Sequence, residues 1–352
     1  MSKFMSERFK NLEAYTPGEQ PQNRKYIKLN TNESPYPPSP MVIKAINEAE
    51  VSSLMLYPDP KTSTLLTTIA DKYGISKDEV IVGNGSDEIL AFSFFAFSDK
   101  TPGVCFSDIT YGFYEVYADL YNLQKEIIPL GENFEVVPES FYNKNKTIFI
   151  ANPNAPTGKC LPLSDIEEIL KHNPDNVVVV DEAYVDFGGE STVPLIHKYD
   201  NLLVIQTFSK SRSLAGSRLG MAIGNKELIA DLNKIKYSFN PYNINRLTLL
   251  AGEASMRDTE YFDACRNKII AIREKTAIEL KAMGFEVLDS KTNFLFARHS
   301  SISGSDLYEK LKENGILIRH FKKDRISDFI RITIGSEEEM NKFVEIIGGI
   351  IK

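Results

Sequence analysis

The feature that most constrains this chain is a set of short apolar runs with no polar alternation, among them 148–150 (IFI) and 177–180 (VVVV). A strand with one wet face alternates apolar and polar residues, so an unbroken run implies cover on both faces. Further runs of strand type lie at 80–82, 103–106, 126–130, 147–151 and 202–206, and 87–97 between them has helical texture. Strands separated by helices predict an α/β fold with a mainly parallel, doubly wound sheet. Past residue 241 the texture changes to a long, charged helical stretch over 243–283, with interruptions. Strand-like runs follow at 294–297, 316–318 and 329–334, with helices at 304–314 and 336–351, which describes a second, smaller α+β domain. Residues 15–40 are rich in Pro, Asn and Gly and read as an extended arm rather than a packed element. The division expected is an arm over 1–44, a large domain over 45–250 and a small domain over 251–352.

Composition narrows the function. With 352 residues, 42% of them hydrophobic, the chain can bury a large core, and its net charge of −7 argues against nucleic acid as a partner. Cys105, Cys160 and Cys265 form no paired motif, and the four histidines form no metal-ligand cluster. Residues 1–10 lack the apolar segment of a secretion signal, and no run has the length of a membrane span. These features point to a cytoplasmic protein with no membrane partner.

In an open α/β sheet, ligands bind where strands end, and four such ends carry chemistry. After 177–180 comes Asp181-Glu182-Ala183-Tyr184. A carboxylate there needs a partner to offset its desolvation; a protonated pyridine would serve, and so would the start of a helix that it caps. After 202–206 comes Thr207-Phe208-Ser209-Lys210, placing an amine at a strand end, where a lysine of depressed basicity forms imines. Arg218 follows between Gly216 and Gly220. Gly83-Asn84-Gly85-Ser86-Asp87 joins a strand to a helix and offers free N–H groups to an anion, although a plain capped turn has the same texture. It is neither a Walker loop nor a GxGxxG turn. Last, NPNAPTG (152–158) is a stiff polar loop exposing asparagine amides.

The order NPNAPTG, DEAY, TFSK and AGSRLG resembles the fold-type I pyridoxal 5′-phosphate (PLP) enzymes, and within them the class I and II aminotransferases. LNTNESPYPPSP, LYPDP, GNGSDEIL, KTNFLFAR and ILIRHF followed by DFIRITIG resemble the histidinol-phosphate aminotransferase branch. The resemblance implies that Lys210 holds the cofactor as a Schiff base and shuttles a proton. Asp181 would pair with the ring nitrogen, Tyr184 would donate to the ring O3′, and Tyr111 would stack on the ring. Ser209, Arg218 and the backbone of Ser86 and Asp87 would hold the phosphate. Tyr57 would reach the cofactor of a neighbouring subunit, implying a homodimer. Arg319 and Arg331 would bind substrate anions, with Tyr15 and Asn32 as lid residues. The sequence departs from the family at Ala155, where an asparagine usually bonds O3′; Asn154 is nominated in its place, with Asn152 or Tyr184 alone as alternatives. The implied reaction is amino transfer between histidinol phosphate and 2-oxoglutarate, giving imidazole acetol phosphate and glutamate, in histidine biosynthesis. An aromatic amino-acid aminotransferase and a phosphothreonine-type decarboxylase share the scaffold and remain alternatives. A PLP-dependent transcription regulator would need a DNA-binding domain ahead of the core, where only about 40 residues stand.

Overall fold

A computed structural model describes residues 4–9, 12–22, 24–98 and 103–351. The N-terminal arm contributes β1 (Ile27–Lys28). A seven-stranded sheet follows, made of β2 (Val80–Asn84), β3 (Val104–Ser107), β4 (Lys125–Ile128), β5 (Thr147–Ala151), β6 (Val178–Asp181), β7 (Leu202–Thr207) and β8 (Leu219–Gly224), in the spatial order β2-β8-β7-β6-β5-β3-β4. The pairs from β4 through to β7 are parallel, whereas β8 runs antiparallel to both β7 and β2. The connection from β7 to β8 spans only residues 208–218 and holds no crossover helix, so an antiparallel return is the geometry open to it.

The unbroken apolar runs are explained by cover on both faces. Val178, Val180, Leu202 and Val204 enter one buried cluster, and their neighbours Val179, Leu203 and Ile205 enter another on the opposite face. Two-residue periodicity therefore feeds two cores at once.

A four-stranded antiparallel sheet is built from β9 (Phe285–Val287), β10 (Phe294–His299), β12 (Arg319–His320) and β13 (Ile330–Thr333). The stretch expected as one strand over 316–318 divides. β11 (Ile316–Leu317) pairs in parallel with β1, and the chain then turns through Ile318 into β12. The arm is thus more than extended chain: Leu29 is buried in the core of the smaller sheet, and Asn30 and Asn32 are buried beside it. The helical stretch expected over 243–283 is two helices, Arg246–Arg257 and Thr259–Ala282, parted at Asp258, whose side chain accepts from the Tyr261 N–H and caps the second. The helix Lys226–Phe239 and strand β8 were not expected from the sequence. Among the described residues no helix is long and apolar enough to cross a membrane.

Candidate active site

The C-terminal ends of β5, β6 and β7 open onto two cavities of about 350 and 360 Å³ that share Thr31, Tyr111, Ala155, Tyr184 and Lys210. Ser86, Asp87, Asp181, Ser209 and Arg218 line the first, and Tyr15, Asn32, Arg319 and Arg331 the second. Of the residues given a cofactor or substrate role in the sequence, Asn154, its alternative Asn152 and Tyr57 line neither.

Asp181 closes β6 and is 5% exposed. Its carboxylate accepts from the Tyr114 hydroxyl at 2.9 Å and from the Ala183 N–H at 3.2 Å, and no ion pair reaches it among the described residues. Burial pushes its pKa from 3.8 up to about 6, against the lowering effect of those hydrogen bonds. A buried acid held this way, facing a cavity, has its charge left to be met by a ligand. Lys210 follows β7 and lines the same cavity, where its Nζ donates to the Thr31 carbonyl at 3.3 Å. The Thr207 hydroxyl donates to Ser209 Oγ at 3.0 Å and accepts from the Ser209 N–H, fixing the turn that presents the lysine.

The opposite wall is the helix Ser86–Phe97, which has no side-chain cap at its Gly85 N-terminus, so the amides of its first turn stay open to an anion. Gly220 lets β8 pass beneath that turn: a Cβ there would lie 2.2 Å from the Ser86 nitrogen. Arg218 adopts a left-handed conformation (φ 53°), uncommon for a side chain this large, and its guanidinium donates to Asp87 Oδ2 at 2.8 Å. Asp87 Oδ1 accepts from the Tyr111 hydroxyl at 2.8 Å, so one carboxylate orients both the aromatic wall and the cation.

These groups test the cofactor that the resemblance implies. PLP presents an aldehyde, a basic ring nitrogen and a phosphate dianion. The cavity offers an amine in Lys210 and an uncompensated buried carboxylate in Asp181. It adds an uncapped helix start with Ser209 and Arg218. The residues fit the group.

In the second cavity the Asn32 amide donates to the Tyr184 hydroxyl at 2.8 Å. Asn32 is itself held by Thr333, whose hydroxyl donates to its Oδ1 at 2.9 Å, and by Asn293, whose amide donates to its carbonyl at 3.0 Å. Arg331, on β13, donates to the Asn30 carbonyl at 3.0 Å, and its Nε is buried without a partner. Burial holds its pKa below the usual guanidinium range. Arg319 donates weakly to the Thr16 and Pro17 carbonyls of the arm, at 3.3 and 3.4 Å. Tyr15 stacks on Phe113 with centroids 4.1 Å apart. Burial pushes the Tyr15 pKa up.

Two nominated residues stand apart. Asn154 is corrected: its amide donates to the Ile109 carbonyl and the Thr157 hydroxyl, and its oxygen accepts from Thr110, so both of its N–H donors are spent bracing the loop. Asn152 is likewise committed, to both backbone groups of Leu161. Ala155 faces both cavities, leaving Tyr184 as the hydroxyl on that side. Tyr57 is 80% exposed and stacks on Tyr242, with centroids 4.6 Å apart. Tyr114 was missed. Its signal was the three-residue spacing from Tyr111, which sets Tyr111 just ahead of the helix Phe113–Leu120 and Tyr114 in its first turn.

Comparison with known proteins agrees with this geometry. A family model described as aminotransferase class I and II matches residues 24–347. A histidinol-phosphate aminotransferase of Brachyspira hyodysenteriae is 55% identical over the whole length of both chains. One of Clostridium acetobutylicum is 54% identical over 98% of each. Among solved structures, a histidinol-phosphate aminotransferase from Clostridium acetobutylicum superposes with a TM-score of 0.85 at 27% identity, covering 92% of this chain and 98% of that one. A Sinorhizobium meliloti histidinol-phosphate aminotransferase in complex with pyridoxal 5′-phosphate superposes with a TM-score of 0.89 over 99% of each chain, at 23% identity, and shares the fold.

Proposed function

The chain belongs to the class I and II aminotransferases, and from that premise we propose that it moves an amino group between L-histidinol phosphate and 2-oxoglutarate, giving imidazole acetol phosphate and L-glutamate, in histidine biosynthesis. It is a PLP-dependent transaminase. The observation that carries the substrate reading is the second cavity. Arg319 and Arg331 line it together with the lysine amine, so an anionic tail can be held while the amino end reaches Lys210. Planar guanidinium forks suit both phosphate and carboxylate, as a site alternating between histidinol phosphate and glutamate requires.

When bound, PLP supplies an aldehyde that takes up amines and an electron-withdrawing ring that eases proton loss from the adjoining carbon. The chain's own residues do the rest. Asp181, buried and oriented by Tyr114, would pair with the ring nitrogen and favour its protonated, cationic form. Lys210 would anchor the cofactor and, as a free amine, would shuttle the proton that leaves the substrate carbon. Tyr184, steered by Asn32, would donate to the ring oxygen without help from Asn154. Ser209, Arg218 and the open amides of Ser86 and Asp87 would bind the phosphate, and Tyr111 would cover the ring face. Tyr15 and Asn32, carried by the arm, close the substrate side against water.

The reading includes a homodimer in which Tyr57 serves the partner's cofactor. Its support is an exposed apolar surface: Met55 is 86%, Tyr57 80% and Phe239 77% exposed, with Val51, Leu54 and Leu56 nearby in sequence. We also keep the division into an arm (1–44), a cofactor-binding domain (45–250) and a small domain (251–352), and a cytoplasmic location, which suits three free cysteines.

The test is a coupled assay of the PLP-loaded protein with histidinol phosphate, with and without 2-oxoglutarate, against phenylalanine as donor. Glutamate formation that requires both histidinol phosphate and 2-oxoglutarate supports the reading. Carbon dioxide release from O-phosphothreonine without a keto acid would indicate a decarboxylase, and faster turnover of phenylalanine an aromatic transaminase; either result overturns it.

A further inference from the structure

We propose that Lys322 is a specificity residue for the phosphate of the substrate, a third cation that distinguishes a phosphomonoester from a carboxylate or an uncharged tail. This inference rests on the substrate reading above and deepens it.

Its basis is the segment after β12. Phe321 lines the substrate cavity, and the guanidinium carbons of Arg319 and Arg331 lie 5.7 and 5.6 Å from its ring centroid, so the two arginines converge on one aromatic wall. Two other cations of this segment are spent holding it in place. Lys323 Nζ donates to the Asp108 carbonyl, and Arg325 pairs with the Asp108 carboxylate at 2.9 Å while donating to the carbonyls of Leu130 and Gly131. Ile326 buries the end of the turn at 2% exposure. The segment is therefore stapled to the end of β3, and Lys322 stands on the cavity wall with no hydrogen bond or ion pair among the described residues. An exposed lysine on a braced backbone, lining the same cavity as the two arginines, can bring its ammonium to an anion larger than the arginines alone would satisfy.

Charge decides which anion. A phosphomonoester carries roughly −1.5 to −2 charges near neutral pH and three acceptor oxygens. Glutamate brings one charge to the same place, and an unphosphorylated donor brings none. Lys322 supplies the charge that the first needs beyond the two arginines, while the arginines suffice for the second; Lys323 lines the same cavity, but its ammonium is held on the Asp108 carbonyl. Lysine, a compact charge on a flexible stem, can follow the bulkier phosphate without blocking the carboxylate.

The experiment compares wild type, Lys322→Met and Lys322→Arg as PLP-loaded enzymes, with histidinol phosphate, unphosphorylated histidinol and glutamate as donors. The expected result is a KM for histidinol phosphate raised about tenfold in Lys322→Met, the size of one charge-assisted hydrogen bond. It comes with an unchanged kcat, little change for glutamate or histidinol, and recovery in Lys322→Arg. Equal changes for all three donors, or none for any, overturn the inference. A wild type that uses histidinol phosphate while Lys322→Met matches it sinks this inference alone; a wild type that does not turn over histidinol phosphate sinks the substrate reading itself.

Discussion

The Tyr114 hydroxyl donates to Asp181 Oδ2 at 2.9 Å, and both residues are buried, yet no cation pairs with that carboxylate among the described residues. The chain carries an acid whose charge is supported by hydrogen bonds alone. Such an arrangement weakens the fold while the site is empty and strengthens it when a cationic ring arrives.

Asp181→Asn tests that balance. The folded-state pKa of Asp181, about 6, lies above its ordinary 3.8. The folded chain therefore binds the proton more tightly than the unfolded chain, and the cofactor-free protein loses stability as pH rises through that window, by at most about 3 kcal/mol. An asparagine cannot ionise. The cofactor-free variant should outlast wild type in urea at about pH 8, with the difference shrinking toward about pH 4, whereas PLP binding should be weakened. A difference independent of pH would contradict this assignment.

Arg331→Ala should raise KM for histidinol phosphate and for glutamate together, by about thirtyfold or more, because a buried charged donor is lost from both complexes. Steady-state kinetics with each donor reads this directly. Unchanged apparent affinity for both would remove Arg331 from the anion site.

The strand-end chemistry was legible because polar residues after buried runs stand out. Asp181 follows three valines that face alternate cores, and Lys210 follows a strand buried throughout. Strand β8 was hidden: its LGMAIG carries two glycines, and Gly220, needed for close passage beneath Ser86, gives it the texture of a loop. Asn154 shows a different limit. A stiff loop announces that its amides are fixed, but not whether they face the cavity or brace the loop itself. The division of 316–318 depended on β1, 289 residues earlier at the Ile27–Ile316 pair, and no local pattern carries a partner so distant.

Tyr57→Phe should loosen cofactor retention about fivefold or more, the scale of one hydrogen bond to a charged group, and only in the assembled dimer. Equilibrium dialysis of PLP alongside sedimentation gives both quantities. A monomer with full activity would contradict the cross-subunit role.

The account turns on the amine of Lys210, and borohydride reduction of the PLP-loaded protein followed by peptide mapping tests it most directly. The pyridoxyl group is expected on the peptide containing Lys210, with Lys210→Ala losing both the adduct and turnover, the latter by about a thousandfold or more. An adduct on a different lysine, or a Lys210→Ala enzyme that still transfers amino groups at the wild-type rate, would contradict the account.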